Sequence, residues 1–308
     1  MSIYEELLQH RNAKLIPGGA AQNTARGAQY MLPPDSTLYI GCVGKDKYAE
    51  ILRETCKKAG LRVEYLEDPK EPTGRCGVVI TGHNRSMVTD LGAANCYKLD
   101  HLKSPDIWKL VEQAQYFYIG GYHLTSCPPA IMALAEEAAA KNKVFIMNLS
   151  APFIPQFFKD PLDKTADYWD YLIGNETEMR AYAEAHSLGT SDVTEIAKHI
   201  ALLPKKNKAR ARTIIATQGT DPTIVVTTDP NVPGKVEVKE YPVHPIKVEE
   251  ICDTNGAGDA FAGGFLAGIV KGETLERAVD MGQWLAKLSV RELGPSFPEP
   301  KQVYVASS

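Results

Sequence analysis

The 308-residue sequence lacks the features that mark membrane or secreted proteins. It contains no apolar run long enough to span a bilayer, and its first residues, MSIYEELLQHRNAK, lack the apolar core of a signal peptide. We therefore expect no membrane partner and a cytoplasmic location, with the nucleus left open as a second compartment.

Two common nucleotide-binding motifs are missing as well. No G-x-x-x-x-G-K-S/T motif occurs, so a P-loop kinase is excluded on motif grounds. No G-x-G-x-x-G opens a first strand-helix-strand unit, which argues against a dinucleotide-binding oxidoreductase. The formal net charge of -4 provides no broad basic surface, so nucleic acid is not an expected partner.

The six cysteines form neither a C-x-x-C pair nor a cluster with histidine. This spacing predicts reduced, mostly buried thiols rather than a disulfide framework or a zinc site. The hydrophobic content of 44% is ordinary for a globular protein, and the length is sufficient for one large α/β domain.

From Tyr116 onward, β-prone and helix-prone segments alternate along the chain. This alternation predicts a doubly wound, mostly parallel sheet flanked by helices, with ligands at the carboxyl ends of the strands. The predicted strands are 116–120, 144–148, 171–174 and 213–217, and the predicted helices include 128–141, 156–167, 176–186 and 193–203. Earlier in the chain, residues 73–95 contain short β-prone runs around a Gly-His-Asn turn, which predicts a hairpin.

The most informative stretch is DTNGAGDAFAGGF, which begins at Asp253. Gly256 and Gly258 allow a sharp turn into a helix and leave its first amides accessible to an anion. Asp259 lies in the same first turn. A carboxylate there would repel a bound phosphate, but it suits a general base for a hydroxyl that attacks the phosphate. The stretch predicts a phosphoryl-transfer site, although a plain helix start is the alternative for so short a motif.

A second glycine pair, Gly18 and Gly19, precedes a helical pattern over residues 23–32. The pair would let a ligand approach the backbone closely, with the amide of Asn23 at the helix start. A turn with an asparagine cap is the alternative.

The sequence Asn-Glu-Thr-Glu at residues 175–178 has two interpretations that are compatible. Asn175 and Glu178 have the spacing of a capping box at a helix start. Their oxygens are also hard ligands of the kind that hold hydrated Mg²⁺.

The DTNGAGDAFAGGF run resembles the C-terminal signature of the ribokinase-like (PfkB-type) carbohydrate and nucleoside kinases. The similarity continues through GGAAQNTA, IGCVGKDKYAEIL, TGHNRSMVTDLGAANCYK and LIGNETEM. The resemblance implies one ribokinase-like kinase domain over residues 1–308, with a small β lid formed mainly by residues 72–96. The lid sequence is similar to that of the family members that transfer the γ-phosphate of Mg-ATP to the 5′-hydroxyl of adenosine, and the family implies a monomer.

The resemblance also implies roles for individual residues. Asp259 would be the catalytic base, beside an anion hole formed by Gly256, Ala257 and Gly258. Either Tyr122 or His123 would stack on the adenine. The other implied contacts are Gly18, Gly19 and Asn23 with the ribose; Cys76, Met87 and Leu91 with the adenine; Arg85 and Asn255 near the phosphates; Asn175, Thr217 and Gly219 with ATP; and Asn175 with Glu178 around Mg²⁺ through water. For Arg85, a solvated turn arginine is an equal alternative.

The resemblance fails at the front of the chain. The family begins with a strand whose aspartate grips the ribose hydroxyls, and this sequence starts after that point. Because such a charge-assisted contact is worth about 1.5–3 kcal/mol, we expect weakened activity or none. Two alternatives stay open: a ribokinase- or fructokinase-like sugar kinase, and a truncated nucleoside-binding form without turnover.

Overall fold

The protein is built around a six-stranded sheet with a layer of helices on each face. The computed structural model describes residues 3–10, 13–81, 84–229 and 231–306. The strands are β1 Leu38–Gly44, β2 Arg62–Asp68, β3 Thr73–Thr81, β4 Asn84–Gly92, β5 Tyr116–Gly120, β6 Val144–Asn148, β7 Tyr171–Asn175, β8 Thr213–Gln218, β9 Asp221–Thr228 and β10 Val236–Tyr241. The helices are α1 Ile3–His10, α2 Ala20–Met31, α3 Lys47–Lys58, α4 Leu99–Lys103, α5 Pro105–Gln113, α6 Pro128–Ala140, α7 Phe153–Phe157, α8 Lys159–Ala166, α9 Glu176–Ala185, α10 Val193–Ala201, α11 Ala257–Val270 and α12 Leu275–Ser289.

The main sheet has the strand order β10-β9-β8-β7-β6-β5. Strands β5 to β8 are parallel, and β9 and β10 continue the sheet in antiparallel pairing. The carboxyl ends of the four parallel strands therefore meet at one edge, where the predicted ligand site would lie. The prediction of a mostly parallel α/β sheet flanked by helices is confirmed.

Successive residues of the central strands face opposite helix layers. Ile146, Ile173 and Ile215 are fully or almost fully buried in a core shared with α2, α11 and α12. Their neighbours Phe145 and Leu172 belong to the other core, shared with α6, α8, α9 and α10. Apolar residues on both faces are what a parallel sheet covered by two helix layers requires.

Glycines let α2, α11 and α12 pack closely. A Cβ on Gly263 of α11 would lie 2.7 Å from the carbonyl oxygen of Thr24 in α2. A Cβ on Gly264 would overlap the carbonyl oxygen of Met281 in α12. Helix α11 is thus held between its two neighbours, and its first turn lies beside the first turn of α2.

Two smaller sheets complete the described part of the chain. Strands β1 and β2 form a parallel pair, and β3 and β4 form an antiparallel hairpin, which we call the lid hairpin (73–92). Across the described ranges, neither pair is hydrogen-bonded to the six-stranded sheet. Helix α1 packs against the lid hairpin, where Leu7 lies 2.9 Å from the Cβ position of Gly77.

Several details differ from the predictions. The predicted helix 156–167 is two helices, because Phe158 leaves the helical conformation with φ -121° and ψ 33°. Helix α2 begins at Ala20, three residues before the predicted start, and β2, α4 and α5 were not predicted. All six cysteines are free thiols, but only Cys56 and Cys127 are buried, so the prediction of mostly buried thiols is wrong. Among the described residues, no helix combines the length and hydropathy needed to cross a bilayer.

Candidate active site

The first turn of α11 contains the predicted base, Asp259, and the predicted anion hole. Gly256 caps the helix in the left-handed region with φ 80°, and a Cβ there would lie 2.6 Å from Pro295. Only glycine fits this position without strain. A Cβ on Gly258, in contrast, would meet no atom within 4 Å. Within the predicted anion hole of Gly256, Ala257 and Gly258, the position of Gly258 therefore faces open space, and the N–H of Ala257 donates to the carbonyl oxygen of Thr254 at 3.3 Å. The start of a helix is a favourable place for an anion.

Asp253 holds the loop before this turn in place. Its carboxylate accepts hydrogen bonds from the backbone N–H groups of Asn255 (2.9 Å) and Gly294 (3.0 Å). The side-chain amide of Asn255, predicted to lie near the phosphates, also donates to Asp253 at 3.3 Å. Sequence reasoning gave Asp253 no role, since nothing in the sequence indicates that the loop at Gly294 returns to this turn.

Asp259 and Asn23 meet across the two glycine motifs. Asn23 Nδ2 donates to Asp259 Oδ2 at 2.9 Å, over a separation of 236 residues. Burial raises the pKa of Asp259 to about 7. The hydrogen bond from Asn23 opposes this rise, and the negative charge of Glu178 adds to it. A carboxylate with a pKa near neutrality is suited to accept a proton at physiological pH.

The Gly-Gly turn before α2 lies beside this pair. Gly19 caps the helix with φ 100°, which favours glycine, and a Cβ on Gly18 would meet no atom within 4 Å. Gln22 Nε2 donates to the carbonyl oxygen of Gly18 at 3.1 Å and fixes the turn. Asn23 is buried, and its Oδ1 atom has no hydrogen-bond partner within the described residues. That oxygen is available for a ligand donor.

Asn175 and Glu178 form the predicted capping box at the start of α9. Asn175 Oδ1 accepts from the backbone N–H of Glu178 at 2.9 Å, and Glu178 Oε2 accepts from the N–H of Asn175 at 2.9 Å. Glu178 is 6% exposed, and burial raises its pKa to about 7. The adjacent strand places Thr217 opposite Asn175, and the turn after it contains Gly219 with φ 60°.

The side chains of Asn175 and Glu178 are better suited to hold a hydrated Mg²⁺ through water than to bind the ion directly. All four of their side-chain oxygen and nitrogen atoms are already used in mutual hydrogen bonds, including Asn175 Nδ2 to Glu178 Oε1 at 3.0 Å. No group of three or more His, Cys, Asp or Glu side chains that could hold a metal occurs in the part of the chain that the structure describes. A buried carboxylate with a raised pKa is nevertheless a site where a nearby cation would be stabilising.

The lid hairpin presents one apolar face away from α1. Strand alternation and the pairing of Val78 with Met87 place Cys76, Met87 and Leu91 on this inner face. Met87 is 58% exposed, and with the exposed Val78, Ile80 and Leu91 on the same face it forms an apolar patch. The side chain of Arg85, predicted to reach a phosphate, lies outside the described residues, as do Gly82 and His83 at the hairpin turn.

Tyr122 and His123 are placed differently, although both were predicted to contact the adenine. Tyr122 is 39% exposed, and the negative charge of Asp259 contributes, after burial, to a raised pKa of its phenol. His123 is turned inward, with its ring 5.3 Å from the ring of Tyr97 and its Nδ1 2.9 Å from Ser126 Oγ. Burial lowers the pKa of His123 to about 4, so its ring is neutral at physiological pH.

Tyr118 is a further polar residue near the site that sequence reasoning missed. It lies in β5, and its hydroxyl accepts from Thr24 Oγ1 of α2 at 3.4 Å. Burial raises its pKa, and the charges of Asp259 and Glu178 contribute to that rise. A tyrosine inside a β-prone run has no sequence signal that separates it from a core residue.

Comparison with known proteins places the chain in a family. Residues 2–302 match the model of the pfkB family carbohydrate kinases. The chain is 48% identical over 306 residues to the adenosine kinase of Schizosaccharomyces pombe, covering 99% of this chain and 87% of that protein. It is also 48% identical to the adenosine kinase of Saccharomyces cerevisiae, with 99% and 86% covered.

Solved structures agree with the sequence comparison. The crystal structure of Anopheles gambiae adenosine kinase in complex with P1,P4-di(adenosine-5) tetraphosphate has a TM-score of 0.90 and 41% identity, covering 96% of this chain and 87% of that one. Schistosoma mansoni adenosine kinase in complex with 2-fluoroadenosine also has a TM-score of 0.90, at 34% identity with 96% and 86% covered. The chain therefore belongs to the pfkB family carbohydrate kinases, in the group formed by the adenosine kinases.

Proposed function

We propose that this protein transfers the γ-phosphate of ATP to the 5′-hydroxyl of adenosine, giving AMP and ADP. It is an ATP-dependent nucleoside kinase. The observation that carries the proposal is the pair formed by Asn23 and Asp259 at the open start of α11, where a base and an anion site are adjacent. The 48% identity to adenosine kinases over nearly the whole chain supports the choice of acceptor.

Asp259 acts as the general base. Its carboxylate takes the proton of the 5′-hydroxyl as the hydroxyl oxygen attacks the γ-phosphorus. Asn23 Nδ2 orients the carboxylate by its 2.9 Å hydrogen bond, and the unpartnered Asn23 Oδ1 accepts from a ribose hydroxyl. Gly18 and Gly19 leave room for the ribose to approach the backbone.

The start of α11 stabilises the transferred phosphate. Amides of the turn through Gly256, Ala257 and Gly258, with Asn255 at its edge, would donate to the γ-phosphate oxygens as charge develops on them. The N–H of Ala257, which donates to the carbonyl oxygen of Thr254 at 3.3 Å, would exchange that bond for one to the phosphate. Arg85, on the lid hairpin, would contact the same phosphate. Thr217 and Gly219 would contact the rest of the ATP.

Asn175 and Glu178 would hold Mg²⁺ through water. When bound, the ion neutralises charge on the ATP phosphates. Glu178 serves this purpose as a carboxylate, and its capping bonds with Asn175 fix its position. The readout for the ion is loss of turnover on chelation with EDTA and recovery on addition of Mg²⁺.

The inner face of the lid hairpin and Tyr122 form the adenine pocket. Cys76, Met87 and Leu91 provide an apolar wall, as a purine requires. We assign the stacking ring to Tyr122, because its ring is exposed whereas the ring of His123 packs against Tyr97.

The test is AMP formation from adenosine and Mg-ATP, followed by chromatography of AMP and ADP. We expect equal amounts of the two products. Preferential phosphorylation of a free pentose or hexose would instead establish a sugar kinase, and adenosine binding without AMP would establish a nucleoside-binding protein. We further propose a cytoplasmic monomer that binds neither membranes nor nucleic acid; light scattering of the purified chain tests the monomer.

A further inference from the structure

The lid hairpin is attached to the body of the protein through a polar junction at Asp46 and Thr73. Asp46 caps α3, and its Oδ1 accepts from the backbone N–H groups of Tyr48 and Ala49, both at 3.0 Å. Thr73 is the first residue of β3. Its hydroxyl donates to Asp46 Oδ1 and its N–H donates to Asp46 Oδ2, both at 2.8 Å. One carboxylate thus joins the start of a body helix to the start of the lid.

The base of the hairpin is closely packed around this junction. Thr73 is 3% exposed, and its hydroxyl also accepts from the N–H of Gly44 at 3.0 Å. At the other end of the hairpin, Gly92 has φ 44°, and a Cβ there would overlap the carbonyl oxygen of Pro72. The same carbonyl accepts from the N–H of Ala93 at 2.8 Å. Both ends of the hairpin are therefore fixed at one point.

On the outer face of the hairpin, Arg75 contacts both α1 and α3. The guanidinium of Arg75 lies 4.8 Å from the ring of Tyr4 in α1 and 5.9 Å from the ring of Tyr48 in α3, and 3.8 Å from Asp90. Strand alternation places Arg75 on the face opposite Cys76. These contacts orient the hairpin without touching the inner face that would cover the nucleoside.

We propose that Asp46 and Thr73 are positioning residues that set how the lid hairpin closes over the acceptor nucleoside and excludes water from the γ-phosphate. This inference rests on the proposed kinase activity. In the productive reaction, the 5′-oxygen bonds to the γ-phosphorus, the bond to the bridging oxygen of ADP breaks, and Asp259 receives the proton. If the lid closes poorly, a water oxygen attacks instead, and the products are ADP and inorganic phosphate.

The central variants are Thr73→Val and Thr73→Ser. Valine has the shape of threonine but loses both hydrogen bonds of the hydroxyl, whereas serine keeps them. For Thr73→Val we expect the KM for adenosine to rise on the order of tenfold. The ratio of ADP to AMP should rise clearly above one, because part of the ATP is hydrolysed. Thr73→Ser should restore both quantities to within about twofold of the wild type.

Asp46→Asn provides a second, independent variant. Asparagine keeps Oδ1 for the helix amides and for the Thr73 hydroxyl, but it places an N–H₂ group opposite the N–H of Thr73. The cap therefore remains, and one of the two hydrogen bonds to the lid is replaced by a repulsive contact. We expect the same rise in the ADP to AMP ratio. Thr274→Val is the matched control, because Thr274 caps α12 with a hydrogen bond from Arg277 N at 3.2 Å. This control should leave the ratio at one.

Several results would overturn the inference. A ratio of one and an unchanged KM in both variants would do so, as would Thr73→Ser behaving like Thr73→Val, or a raised ratio in Thr274→Val. Failure of both junction variants to fold would show that the junction acts in folding rather than in positioning. No AMP from the wild-type chain would reject the proposed function and, with it, this inference. If the wild-type chain forms AMP and ADP in equal amounts and the junction variants behave in the same way, this inference is rejected but the proposed function is not.

Discussion

The start of α11 and the lid hairpin form two sides of the candidate site, and they differ in composition and packing. Helix α11 is rich in glycine, and at Gly263 and Gly264 a Cβ would overlap the backbone of a neighbouring helix. The lid hairpin instead carries large apolar side chains in solvent, with Met87 58% and Ile80 43% exposed. One side is closely packed without a ligand, and the other leaves apolar surface that a ligand could cover.

This difference indicates a division of labour between the two sides. A rigid helix start can hold the amides and the carboxylate in place before the reaction, which is what electrostatic stabilisation of a transition state requires. An exposed apolar hairpin contributes mainly when a ligand covers it, through burial of apolar area and exclusion of water. Changes on the helix side should therefore act on kcat, and changes on the hairpin should act on KM.

The largest expected effect is that of Asp259→Ala. Removal of the general base should lower kcat by about 10²- to 10⁴-fold, while the dissociation constant for adenosine changes little. Rates of AMP formation and calorimetric titration with adenosine measure the two quantities. Asp192→Ala is the control, since it makes the same chemical change at the cap of α10. Turnover within tenfold of wild type in Asp259→Ala would mean that this carboxylate is not the base.

Two glycine substitutions in α11 separate catalysis from packing. Gly258→Ala adds a methyl group in open space at the anion site, so we expect a normal melting temperature and about 10²-fold slower turnover from displaced phosphate. Gly264→Ala adds the same methyl group against Met281, so we expect about 1–3 kcal/mol of destabilisation. Thermal melts and AMP assays on both variants measure this. Loss of stability in Gly258→Ala would contradict the open position of that glycine.

The pH dependence of turnover tests the charges on the helix side. Because the pKa of Asp259 is about 7 in the free protein, kcat/KM should rise with pH through neutrality, by about tenfold per unit on the acid side. Glu178→Gln removes a negative charge that helps to raise this pKa, so the rise should move to lower pH. A profile that stays in place in Glu178→Gln would show that the two carboxyl groups do not interact.

The raised pKa values of Asp259 and Glu178 also predict how the stability of the protein changes with pH. Their pKa values of about 7 lie above the ordinary values of 3.8 and 4.5, so the folded state binds protons more tightly than the unfolded state. The stability that they contribute is complete below pH 4 and decreases as pH rises toward 7. The melting temperature of Glu178→Gln, relative to wild type, should therefore improve between pH 5 and pH 8. A constant difference would contradict the raised pKa values.

Local patterns in the sequence predicted much of this architecture. The glycine turn before Asp259 and the strand-helix alternation depend on neighbouring residues, which a sequence displays directly. The contact between Asn23 and Asp259 does not, because it depends on how α2 packs on α11 through Gly263. The contact between Asp46 and Thr73 is equally hidden, because it depends on how the start of the lid hairpin returns to the start of α3.

The predicted helix 156–167 shows a second limit. The sequence does contain a signal for the break at Phe158, because Pro161 lies in the first turn of α8 and a proline is tolerated there but not in a helix interior. The signal does not show at which residue α7 ends. For Asn175, the sequence correctly indicated the capping box, but it could not show that these bonds occupy atoms otherwise available to a metal. Packing and competition for hydrogen bonds are properties of the folded chain.

The smallest expected effect distinguishes the two faces of the hairpin. Val78 lies on the inner face, paired with Met87, and its neighbour Val79 lies on the outer face; they are 39% and 48% exposed. Replacing either with threonine exchanges a methyl group for a hydroxyl at similar volume. Because only the inner face would be covered by adenosine, Val78→Thr should raise the KM for adenosine about three- to fivefold with kcat unchanged. Val79→Thr should change neither, and both variants should melt at the wild-type temperature. Equal effects of the two variants would mean that the hairpin does not present a distinct face to the nucleoside. A lower kcat in Val78→Thr would mean that the hairpin takes part in the chemical step, and the division between the two sides of the site would be wrong.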